Sequence, residues 1–144
     1  MKIAYPVIFT EVNTNILIEI PDLGILTESN DEAKEKGTLA DAIAMARDAI
    51  GIACISLEDE GKPLVKPSAI FDIDVMNGTF SDEGVGIVSL VDVDLSVYRR
   101  RIEQKTVRRN VTLPNWLNLE AENAQINVSR VLQEALMMKL GINK

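Results

Sequence analysis

The sequence predicts an α+β protein: an antiparallel sheet crossed by one helix, then a small module of one strand and two helices. Three observations carry this. Short apolar runs bounded by turn residues recur at positions 3–9, 16–20, 25–28 and 87–95. One long stretch, 39–57, instead spaces its apolar residues at helical intervals. The charge also changes sign late in the chain: six Lys/Arg against eighteen Asp/Glu up to Tyr98, then nine against four from Arg99 onward. These are nets of −12 and +5 within a total of −7. Such asymmetry marks two parts with different partners.

Strand one spans 3–9 and contains Pro6. Proline lacks a donor N–H, so the strand is expected at a sheet edge or with a bulge. Asn13, Thr14 and Asn15 are turn residues. Pro21-Asp22-Leu23-Gly24 ends the second run, and 25–28 gives the third. Tight connections between short strands predict a meander. The polar stretch 29–37 reads as a loop. Thr38 is then an N-cap, with Asp41 three residues on in the capping-box position. Leu39, Ala42, Ile43, Ala46, Ile50, Ala53, Cys54 and Leu57 form one apolar stripe. Gly61 stops that helix. Segment 62–68, with Pro63 and Pro67, is extended. Segment 69–86 reads as one weak strand or an ordered loop, and 98–104 as a linker beginning with Tyr98. The expected division is 1–98, a linker at 99–104, and 105–144.

The chemistry excluded is as informative. The chain has no histidine, which removes histidine acid–base catalysis and histidine metal sites. The single cysteine, Cys54, permits no internal disulfide and suits a reducing cytoplasm, the expected location. It falls on the helix stripe, a core position rather than a nucleophile's. Asp72/Asp74 and Asp92/Asp94 have the spacing of Mg²⁺-binding pairs, but the second pair is more simply the solvent face opposite Val91, Val93 and Leu95. Gly84-Val85-Gly86 lacks the spacing and lysine of a phosphate loop. No apolar run approaches the ~20 residues of a membrane helix, and the N-terminus lacks a signal-peptide layout. The expectation is no enzyme, no metal, no cofactor and no membrane.

The C-terminal module reads as a strand at 105–113, a helix from Pro114 to about Ala124, and a second helix capped by Asn127 and ended by Gly141. Trp116, Leu117, Ala121 and Ala124 line the first helix. Val128, Val131, Leu132, Ala135, Leu136 and Leu140 line the second. Roughly 37 residues cannot bury these faces alone. Two copies, strands paired antiparallel with four helices above, would bury them. Alternation then sends Val107, Val111 and Leu113 inward and leaves Arg108, Asn110 and Thr112 outward; Arg109 breaks the inner pattern. A two-stranded ribbon fits the DNA major groove, where Arg, Asn and Thr read base edges. The amides of Val128 and Ser129, the Ser129 hydroxyl, Arg130 and Lys105 are the expected phosphate contacts.

Val-Arg-Arg-Asn-Val-Thr-Leu-Pro-x-Trp from Val107, followed by Asn-Val-Ser-Arg-Val-Leu-x-x-Ala-Leu from Asn127, resembles the ribbon-helix-helix repressors. Gln125 departs from the pattern, because many members carry a glycine between the helices. The first part resembles the HicB antitoxins of bacterial toxin–antitoxin pairs. The matching pieces, in order, are Tyr5-Pro6 with Phe9, Pro21-Asp22-Leu23-Gly24, the Leu-x-x-Ala-Ile start at Leu39, Glu58-Asp59-Glu60-Gly61, Pro63 to Pro67-Ser68, Val91-Asp92-Val93-Asp94 and Tyr98. The resemblance implies a truncated RNase H-like sheet with one helix. It also implies a small basic RNA-cleaving partner of the HicA type, neutralised by the acidic part. Asp22, Glu58, Asp59 and Glu60 are the expected contacts. It further implies repression of the pair's own promoter by a dimer or tetramer on operator DNA. Two readings from other classes compete: a stand-alone ribbon-helix-helix regulator whose first part senses a ligand or dimerises, and a metal-dependent nuclease.

Overall fold

The computed structural model describes residues 1–13, 15–29, 37–103 and 106–142. Most of the loop expected at 29–37, together with Thr14 and Lys105, therefore lies outside the described residues. The chain is α+β, and it divides into two compact units, 1–104 and 105–144.

The first unit is built on four antiparallel strands: β1 (Lys2–Glu11), β2 (Ile16–Ile20), β3 (Ile25–Glu28) and β4 (Val85–Asp94), in the order β3-β2-β1-β4. The two ten-residue strands pair along their whole length, from Lys2↔Asp94 to Glu11↔Val85. β1 is thus an inner strand, not the edge expected from Pro6. The proline is tolerated because β2 is short. Its ladder runs only from Ile8↔Glu19 to Glu11↔Ile16, so at Pro6 only β4 is paired with β1. A missing N–H need break no ladder bond there.

Pleating puts alternate residues on one face. Tyr5, Val7 and Phe9, with Ile16, Ile18, Ile20, Val91 and Val93, form the floor of the core. Helix α1 (Leu39–Asp59) lies over it through Ala42, Ala46, Ile50 and Cys54, all fully buried. Its start is the expected capping box: Thr38 Oγ1 accepts from the Asp41 amide, and the Asp41 carboxylate accepts from the Thr38 amide at 2.9 Å. That bond from the Thr38 backbone first, and a second donated by the Thr38 hydroxyl, lower the Asp41 pKa. Its end places Gly61 at φ +70, with the Gly61 and Lys62 amides bonded back to Glu58 and Leu57. That is the Schellman pattern, which glycine adopts without strain.

A correction follows β4. The segment from Tyr98 expected as a linker is helical, within α2 (Leu95–Ile102). Asp94 starts it by accepting from the amides of Ser96 and Val97. Leu95 and Tyr98 are buried. The Tyr98 ring lies on Gly51 of α1, where an added Cβ would stand 2.8 Å from three ring atoms. The Tyr98 hydroxyl donates to the Asp48 carboxylate at 2.6 Å. Gly51 is therefore a seat for the ring.

The other face of the sheet is covered by residues 69–84, a loop with two 3-10 turns, Ile70–Asp72 and Val75–Asn77. Its Val75 side chain lies over Gly86, where a Cβ would meet it at 2.7 Å. Thr10 and Ile8, which point to this side, are buried in consequence.

Two outcomes test this packing. Gly51→Ala is expected to destabilise the first unit by about 1–2 kcal/mol in urea titration: the clash with the Tyr98 ring outweighs the roughly 1 kcal/mol that alanine gains in a helix. The chain has two tyrosines. Burial, first, and the bond to Asp48 push the Tyr98 pKa up to about 12, and burial raises Tyr5 as well. Native protein holds these protons more tightly than unfolded chain, so stability falls as pH rises from about 10. Absorbance at 295 nm should show no tyrosinate near pH 10, and ionisation only with alkaline unfolding.

Candidate functional site

In the second unit, helices α3 (Asn115–Asn123) and α4 (Val128–Leu140) stand where the sequence puts them. Pro114 precedes α3 as its cap, one position earlier than expected. Asn127 caps α4 by accepting from the Arg130 amide at 3.1 Å, and Gly141 ends it at φ +68. The strand expected at 105–113 is not formed: residues 106–114 carry no regular structure. Strands are defined by paired backbones, and one copy offers this segment no second edge.

The helices end on one motif, and its residue differs. At Gly141 the amides of 141 and 142 bond to Met138 and Met137. After α3 the amides of Gln125 and Ile126 bond to Glu122 and Ala121 in the same pattern. Gln125 accordingly sits at φ +55, the only non-glycine residue with positive φ among the described residues. A glycine would occupy this position without the cost a side chain brings there.

Arg108, Asn110 and Thr112 are exposed, and Val107 and Val111 are exposed beside them. Neither helix has a buried residue. Trp116 is 66% exposed and Leu140 70%, values that decide the matter: the apolar stripes are real and a single copy leaves them in water. Thr106, Val107, Arg108 and Arg109 line a groove of about 710 Å³ against Ser129, Leu132, Gln133 and Leu136 of α4. Of the expected phosphate contacts, Val128 and Ser129 head α4 at its positive dipole end, and Arg130 pairs with Glu134 at 3.1 Å. Lys105 lies outside the described residues.

The acidic residues singled out in the first unit are placed in three ways. Asp22 accepts from both the amide (2.8 Å) and hydroxyl (2.6 Å) of Ser68, fastening the extended segment after α1 to the turn after β2. Glu58 and Asp59 hold the Arg99 guanidinium at 3.0 and 2.9 Å, with Glu103 on the same group. These carboxylates raise the pKa of Arg99, Glu58 most. Glu60 pairs with Lys62. The structure thus gathers Glu58, Asp59 and Glu60 at one helix end and keeps Asp22 with Ser68. Sequence reasoning missed the Arg99 cluster, because its cation comes from a segment read as linker. Three members of the aspartate pairs are also engaged: Asp92 with Arg47 at 3.3 Å, Asp94 with the α2 amides, and Asp74 with Met76 and Asn77. Cys54 is a buried free thiol whose pKa burial raises. Among the described residues no helix is long and apolar enough to cross a membrane.

The comparisons add one likeness. The fold matches a chain from a solved structure described as a toxin–antitoxin complex from Streptococcus pneumoniae, with a TM-score of 0.59 over 96% of this chain and 99% of that one. Sequence identity is 22%, so the likeness is one of fold. No protein-family model and no curated protein sequence matches the chain.

Gln125→Gly is expected to raise the stability of the second unit by about 1 kcal/mol, the cost of a side chain in the left-handed region. Thermal melts followed at 222 nm should show it, while Gln125→Ala, which keeps a Cβ there, should give no such gain.

Proposed function

We propose that this chain is the antitoxin of a toxin–antitoxin pair, of the HicB kind, which neutralises a small basic RNA-cleaving protein and represses its own operon. The observation that carries the reading is the fold likeness, nearly end to end in both chains, to a component of the S. pneumoniae complex. The charge division supports it. An acidic first unit suits a basic partner, and a basic second unit suits phosphates.

In this reading the second unit is a ribbon-helix-helix half. Two copies pair their 105–113 segments into a ribbon, and the exposed Val107, Val111, Trp116, Leu136 and Leu140 become the shared core. Arg108, Asn110 and Thr112 then face the major groove. Lys105, Arg130 and the amides of Val128 and Ser129 hold phosphates, and two-fold symmetry selects a palindromic operator. The first unit, a reduced RNase H-like sheet, meets the toxin through its acidic surface. Glu58, Asp59 and Glu60 lie on that surface, and Asp22 acts by holding Ser68. The protein acts in the cytoplasm as a dimer or tetramer, without catalysis, metal or cofactor.

The deciding experiment is growth rescue. The small reading frame adjacent to this gene is expressed in a bacterium with the full chain, with Arg108→Ala/Asn110→Ala, or alone. Toxicity should appear alone and vanish with either form, while the double variant loses operator binding at least tenfold in gel shifts. A harmless neighbour, or toxicity that the full chain leaves untouched, points instead to a stand-alone regulator. Unchanged operator affinity would remove the ribbon from base reading.

A further inference from the structure

The loop over the outer face of the sheet is held at two points by the same device. Just before it, the Asp22 carboxylate takes the amide and hydroxyl of Ser68. Within it, the Glu19 carboxylate takes the amide (2.9 Å) and hydroxyl (2.8 Å) of Thr79. Between these fasteners the Asp74 side chain closes the second turn on Met76 and Asn77, at 3.0 Å each. Val75 and Gly78 anchor the underside on Gly86 and Ile8. The backbone is thus organised, yet its top carries two large apolar side chains in water: Phe71 at 94% exposure and Met76 at 76%. Burying a phenylalanine is favourable, and this loop leaves that gain unused within its own chain. Aromatic and methionine side chains held out on a fixed backbone are what interface centres are made of.

Charge indicates the occupant. From residue 67 to residue 98 there are six acidic residues and no basic one. Asp72, Asp74, Asp82 and Glu83 lie in or beside the loop and are exposed. A second copy docking through the same loop would bring the same negative surface and be repelled, as would an anionic membrane. A basic protein would be attracted to the rim and would cover the apolar centre.

We propose that the 69–84 loop is the docking knob for the basic protein partner, with Phe71 and Met76 as its apolar anchors and the surrounding carboxylates steering association. This rests on the antitoxin reading and adds to its partner surface an apolar centre on the sheet face opposite α1. The Asp22–Ser68 and Glu19–Thr79 links serve binding by fixing the loop beforehand, so little ordering entropy is lost on association.

The test uses the full chain and the purified product of the adjacent small basic reading frame, with affinity measured by titration calorimetry. Phe71→Ala/Met76→Ala is expected to bind at least tenfold more weakly. Its melting curve should stay at the wild-type position, because both side chains are solvent-exposed. Asp72→Lys/Asp82→Lys should slow association and flatten its dependence on salt. Unchanged affinity in the first variant, with wild type binding well, overturns the knob and leaves the antitoxin reading standing. A change in self-association with partner affinity intact assigns the knob to a second copy and overturns the proposal too. Absence of binding by wild type strikes the antitoxin reading itself, and the knob with it.

Discussion

The first unit depends on one ladder, the ten-residue pairing of β1 with β4. It joins the first residues of the chain to residues more than eighty positions later, and both faces of the fold are laid on it. On one side, Tyr5, Val7, Phe9, Val91 and Val93 make the floor for α1. On the other, Ile8, Thr10 and Gly86 make the bed for the 69–84 loop. Because β4 runs directly into α2, the ladder also delivers Tyr98 to Gly51 and Arg99 to the end of α1. Sheet, helix pair and loop are consequences of the same register.

Much of this architecture was legible, for physical reasons that differ by element. α1 declared itself through helical spacing and through a cap that needs only Thr38 and Asp41, three residues apart. The stops at Gly61 and Gly141 were equally local. Local chemistry misled at Pro6, where the cost of a proline depends on how long the neighbouring strand is, which only the register of β2 reveals. It was silent on α2, whose two buried side chains are too few for a periodic signal among three arginines. The 69–84 loop was readable only as a weak strand or an ordered loop, since Glu19 and Asp22 fasten it from more than forty residues away.

The candidate sites divide along the same line. In the second unit the caps and apolar stripes were visible in the residues. The strand was not realised, because a strand needs a second edge and one copy offers this segment none. Gln125 looked like a departure from a family pattern, and the structure gives it a meaning: it occupies a left-handed turn that glycine fills more cheaply. In the first unit, acidic residues were easy to find, but their duties were not. Asp22 and Glu19 prove to be fasteners, and Glu58 and Asp59 hold an arginine, so a carboxylate count alone says little about which of them meets a partner.

The ladder has a consequence for how the protein comes into being. A ribosome adding about 5–20 residues per second needs roughly 4–16 seconds between releasing β1 and releasing β4. Throughout that interval the apolar first strand has no partner along its β4 side. β2 can cover only half of it. The newborn chain therefore passes through a period in which one long strand edge is unpaired, the kind of edge that invites pairing with other chains.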